Sequence, residues 1–101
     1  MEKDLGLIEL FELYKGLLTE RQRELFSYYY LYDLSLAEIS EPEGKTRQNV
    51  YESLKKVKEK LNGYEKVLKL KEKNAELLSV ASVLSEKDQD LSKKILDIIG
   101  K

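Results

Sequence analysis

Two capping boxes, sixteen residues apart, constrain the fold more than any other feature of this chain. In each, a hydroxyl residue is followed three positions later by Gln or Glu: Thr19 with Gln22, and Ser35 with Glu38. Such a pair satisfies the orphan N–H groups of a helix start from both directions, so each marks a helix N-terminus. The flanking sequence keeps the same period. Leu5, Ile8, Phe11, Leu13 and Tyr14 recur at three- and four-residue steps and predict a first amphipathic helix ending near Gly16. The second helix starts after Thr19, runs through Leu25, Phe26, Tyr29 and Tyr30, and stops near Asp33. The third is short, with Leu36, Ala37 and Ile39 inward, and is broken by Pro42 and Gly44. Thr46 caps a fourth over residues 47–62, and Gly63 closes it. Along it Val50, Leu54, Val57 and Leu61 fall in one narrow arc at i, i+4, i+7 and i+11. A longer helical region then reaches about residue 84, with Val67, Leu70, Leu77, Val80 and Leu84 inward. Residues 85–87 form a joint, and a last helix carries Leu91, Ile95, Leu96, Ile98 and Ile99. No stretch shows the two-residue alternation of a strand, so the fold class is all-α.

At 101 residues the chain has the size of a single domain. Its expected organisation is a helix-turn-helix core over about 17–62 and a helical C-terminal extension over 64–101. The absence of Cys and His removes disulfides, thiolate metal sites, zinc and any His-dependent triad. No Gly-rich phosphate loop, nucleophile elbow or metal-ligand spacing occurs, and Asp33 and Glu38 read as helix punctuation rather than a catalytic pair. The expectation is a protein that is not an enzyme and uses no cofactor and no metal. The apolar stretch at 5–18 carries Glu9, Glu12 and Lys15 and is too short to span a bilayer. No membrane insertion and a cytoplasmic location are expected.

Charge is unevenly distributed. Residues 1–44 hold 4 basic and 10 acidic side chains, whereas residues 45–73 hold 10 basic and 4 acidic. A reversal of that size between neighbouring segments predicts a basic binding surface on an acidic body. The basic segment coincides with a motif. Residues 35–62 read as a helix-turn-helix, a short capped helix and a longer one joined by a Gly-containing turn. In such a unit the second helix offers N-terminal polar residues to base edges and later cations to phosphates. The candidate readers are Arg47 and Gln48, with Tyr51 and Lys55 on the same exposed face. Lys45, Lys56, Lys58 and Lys60 join Lys55 in supplying backbone charge. Glu41 and Glu43 lie near the expected phosphate path, and Glu52 lies on the reading face. Lys45 occupies a turn position where an apolar residue is usual, so the turn must be open or the Lys stem must snorkel.

The run LLTERQRELFSYYYLYDLSLAEISEPEGKTRQNVYESLKKVKEKL resembles region 4 of bacterial sigma factors. It more closely resembles the YlxM family of small helix-turn-helix proteins. The resemblance covers roughly residues 8–75 and rests on Leu17–Leu18–Thr19, the Tyr run 28–30, SLAEI at 35–39 and TRQNVYESLKK at 46–56. It implies nucleic-acid binding and an accessory role in co-translational targeting by the signal recognition particle. The implied partners are the particle's RNA, or its GTPase or receptor. Duplex DNA bound by a transcriptional regulator is the competing expectation for the same residues.

A third expectation is a protein-interaction module. Tyr28, Tyr29, Tyr30 and Tyr32 fan around a helix, so they cannot all enter one core. Tyr29 and Phe26 are best placed for burial, while Tyr28 and Tyr32 share a face at i and i+4. The C-terminal apolar stripe, Leu77 to Ile99, is expected to cover the helix-turn-helix core in part; for the remainder two expectations stand side by side, a homodimer or partner groove and a purely intramolecular cap.

Overall fold

The computed structural model describes residues 4–100. Six α-helices and no strand occur among these: α1 (Leu5–Tyr14), α2 (Glu20–Phe26), α3 (Leu36–Ser40), α4 (Arg47–Leu68), α5 (Leu70–Leu84) and α6 (Gln89–Ile99). The chain is all-α, and both capping boxes form as the sequence requires. Gln22 and Thr19 exchange bonds at the start of α2, the Thr19 N–H donating to Gln22 Oε1 at 2.9 Å. Ser35 and Glu38 do the same at α3, with the Ser35 N–H donating to Glu38 Oε1 at 3.0 Å. Asp4 accepts from the Leu7 N–H to start α1, and Thr46 accepts from the Asn49 N–H to start α4. The chain divides into two compact units, Met1–Val67 and Leu68–Lys101.

The first unit has one continuous core running from Leu7 to Leu61. The α4 arc of Val50, Leu54, Val57 and Leu61 is buried throughout, as its spacing requires. The cover over these helices within the unit comes from α1. Leu7, Leu10, Phe11 and Tyr14 are its buried face, and Phe11 stacks on Phe26 of α2 with ring centroids 4.2 Å apart. Leu5, expected inward, lies on the solvent side, because the buried stripe passes through Leu7 and Leu10 instead. Arg23 donates from Nη1 to the Lys15 and Leu18 carbonyl oxygens, which ties α2 to the short 3₁₀ turn Lys15–Leu17.

Two departures from the periodic reading have physical causes. After Phe26 the helix widens into a π-helical turn, Ser27–Leu31, in which the Tyr32 N–H reaches back five residues to the Ser27 carbonyl at 2.9 Å. A turn closed over five residues rather than four carries later side chains to a different azimuth. Tyr30 therefore takes the core position expected of Tyr29, stacking on Phe26 at 4.5 Å, and Tyr29 is only half-buried with its ring edge on Tyr30. Asp33 then turns the chain in the left-handed region at φ 56°, a conformation Asp tolerates better than most residues.

The second departure is at Gly63, which does not close α4. The helix continues to Leu68 and stops at Lys69, whose φ is 56°. Glycine in a helix interior costs about 1 kcal/mol relative to Ala. Contacts made only by the additional turn offset that cost. The Tyr64 hydroxyl donates to the Leu17 carbonyl at 3.2 Å, and the Tyr14 hydroxyl donates to Glu65 Oε1 at 2.6 Å.

The second unit is a pair of helices, α5 and α6. They meet at small residues: buried Ser92 donates from Oγ to the Ala81 carbonyl at 2.7 Å. Asp88 caps α6, accepting from the Asp90 and Leu91 N–H groups. Leu70, Leu77 and Val80, expected inward, are exposed, as is Val67 at the end of α4. Two paired helices can bury only one facing stripe each, and the apolar surface here is wider than that stripe. Among the described residues, no helix is long and apolar enough to cross a membrane.

Candidate nucleic-acid interface

The turn between α3 and α4 is built from backbone. A 3₁₀ turn, Glu41–Glu43, follows α3 and ends on Gly44 at φ 64°, a left-handed conformation that glycine adopts without Cβ strain. The Gly44 N–H donates to the Glu41 carbonyl at 3.1 Å and the Lys45 N–H to the Ser40 carbonyl at 3.0 Å. The turn is open at Lys45, whose side chain is solvent-exposed, so no lysine charge is buried there. Glu43 is held by Arg21 of α2 through both carboxylate oxygens. The guanidinium hydrogen bond holds the Glu43 carboxyl below its usual range and raises Arg21 in return. An acidic residue that sequence reading set against a phosphate path is thus paired with a cation from the preceding helix.

All eight candidate residues, Lys45, Arg47, Gln48, Tyr51, Lys55, Lys56, Lys58 and Lys60, are exposed. The six cations among them form no ion pair with the described residues. They do not share one face. Arg47, Tyr51, Lys55, Lys58 and Asn62 follow one another at steps of four, four, three and four, which aligns them along one flank of α4. Gln48 adjoins this flank, and its Nε2 donates to Glu52 Oε1 at 2.8 Å, fixing the amide along the helix surface. Lys56 and Lys60 sit four apart on the opposite flank. The contiguous basic stripe is therefore Arg47, Lys55 and Lys58, interleaved with Tyr51.

A cleft of about 290 Å³ opens beside that stripe. Its base is formed by buried Tyr30 and Leu54, and Tyr51, Lys55 and Lys58 border it. Glu59 and Asn62 complete the border. Burial pushes the Tyr30 hydroxyl above its usual range. Sequence reading missed Tyr30, Glu59 and Asn62 as neighbours of the basic stripe. Asn62 was legible from its four-residue step after Lys58 within the expected helix. Tyr30 was not, because it reaches the cleft only through the π-helical turn.

The joining of α3 to α4 across a left-handed glycine, with one α4 arc buried and the others open, makes this a helix-turn-helix protein in class. A family model described as "Putative helix-turn-helix protein, YlxM / p13 like" matches residues 1–99. The chain is 41% identical to a UPF0122 protein of Clostridium novyi (strain NT), over 90% of its own length and 79% of that protein. Against a UPF0122 protein of Caldanaerobacter subterraneus subsp. tengcongensis it is 40% identical, over 85% of its length and 74% of the other. A counterpart in Shouchella clausii is 46% identical across 56 residues, 55% of this chain and 51% of that protein. The chain belongs to the UPF0122 family.

Proposed function

We propose that this protein binds nucleic acid through the Arg47–Tyr51–Lys55–Lys58 flank of α4, and that its ligand is the RNA of the signal recognition particle in the cytoplasm. The observation that carries the reading is the contiguous stripe of exposed cations, unpaired among the described residues, on the second helix of a helix-turn-helix. Such charges attract phosphates by counterion release, and a Tyr between them offers a stacking surface. The RNA assignment follows from the resemblance to the YlxM family, as does contact with the particle's GTPase or receptor. The role is regulatory, with no catalytic residue assigned.

The experiment is fluorescence anisotropy of the purified protein with signal recognition particle RNA and with random duplex DNA of equal length, from low to physiological salt. Preference for the RNA that survives physiological salt, abolished by Lys55→Glu with Lys58→Glu in a folded variant, is the expected result. Equal, weak binding to both that salt erases would overturn it. Tight, sequence-selective binding to DNA alone would instead favour a transcriptional regulator using the same residues.

A further inference from the structure

We propose that the cleft beside α4 receives one unpaired base of the bound nucleic acid, so that the protein prefers looped or bulged RNA to a continuous duplex. The inference deepens the proposed function and rests on it. The cleft combines the two chemistries a nucleotide needs. Tyr51 is 43% exposed, presenting ring surface to solvent rather than packing it away, and Leu54 with Tyr30 gives an apolar base beneath. An aromatic face of that kind stacks on any base released from its own stack. Lys55 and Lys58 border the same cleft, within the reach of phosphates on either side of an inserted base.

Beyond them, Asn62 offers both a donor and an acceptor, and Glu59 offers an acceptor for an exocyclic amine. The volume, about 290 Å³, stands at the lower end of small-ligand sites. That suits a single planar ring system and excludes a base pair with its two backbones. A paired base cannot enter, because its Watson–Crick edge and both faces are already covered by its neighbours. The cleft also lies one to four turns beyond the Arg47 and Gln48 positions that would meet a duplex groove. The N-terminus and the middle of α4 therefore divide the work, the first touching backbone or groove and the second holding a base.

The test compares a short RNA hairpin containing one bulged adenine with the same hairpin fully paired, at physiological salt, for the wild type, Tyr51→Leu and Tyr51→Phe. The wild type should bind the bulged probe about ten-fold more tightly, the effect of one base–aromatic stack. Tyr51→Leu should bring the two affinities together, and Tyr51→Phe should retain the difference. Because Tyr51 is exposed, both variants should keep the helical circular dichroism of the wild type. Equal affinity of the wild type for both probes, or an undiminished preference in Tyr51→Leu, overturns the base-binding cleft while leaving nucleic-acid binding in place. No binding to either hairpin, with none to signal recognition particle RNA, overturns the proposed function and this inference together.

Discussion

Replacing Lys55 and Lys58 with Gln removes two of the three cations on the flank of α4 that carries Tyr51 and Asn62. Each phosphate neutralised by a cation contributes about 0.7 to 0.9 to the slope of log K against log salt, the lower figure for single strands. With Arg47, Lys55 and Lys58 as the contacting set, the wild-type slope should be about −2 to −3. The double variant should retain only the Arg47 contribution, a slope of about −1. Lys56→Gln with Lys60→Gln, two exposed lysines on the other flank, should leave the slope where it was. The assay is an anisotropy titration against signal recognition particle RNA at a series of salt concentrations, with circular dichroism to verify the fold. Were all six cations of residues 45–60 in contact, the wild-type slope would be about −4 to −5, and both pairs would lower it equally. Equal responses of the two pairs would refute the argument from helical spacing. An unchanged slope after Lys55→Gln with Lys58→Gln would remove this flank from the interface altogether.

Gly63→Ala should stabilise the protein by up to about 1 kcal/mol in thermal or denaturant unfolding, because Gly63 is exposed in a helix interior with open space at its Cβ position; a loss of stability would show that α4 does end there in solution. Arg21→Ala should weaken RNA binding by freeing the Glu43 charge, and adding Glu43→Gln should restore it, whereas failure of the second change to rescue would place Arg21 itself at the ligand. The same pair sets a pH dependence of stability. The Glu43 carboxyl is held below its ordinary 4.5, so the pair's contribution is present above that value and is lost as pH falls through the folded value. Arg21 is more than one third exposed, so the contribution is screened and amounts to no more than about 0.5 kcal/mol. Glu43→Gln should lower stability by that much at pH 7 and by nothing in strong acid; a deficit that persists in acid would assign the effect to packing.

The local grammar of this chain was legible before any tertiary structure. Both capping boxes, the Thr46 cap, the turn at Gly44 and the apolar spacing of the α4 arc are set by residues within a few positions of each other. Such interactions are nearly independent of the remainder of the fold, and they suffice to define a helix-turn-helix and to mark α4 as its exposed basic helix. Three features depended on distant residues and could not be read locally. Gly63 carries an ordinary helix-stop signal, which the contacts of Tyr64 and Glu65 with Leu17 and Tyr14 override. The Tyr run gives no local reason to widen into a π-helical turn; its outcome is read in the stack of Tyr30 on Phe26 and of Phe26 on Phe11. Arg21 and Glu43 are 22 residues apart, so only folding brings them together and quenches an acidic charge in the turn. The sequence by itself thus determined which segments are helices and where most of them start. Tertiary packing decided how far α4 runs, which Tyr enters the core and which charges stay unpaired, because these are differences of about a kilocalorie that a few long-range contacts can reverse.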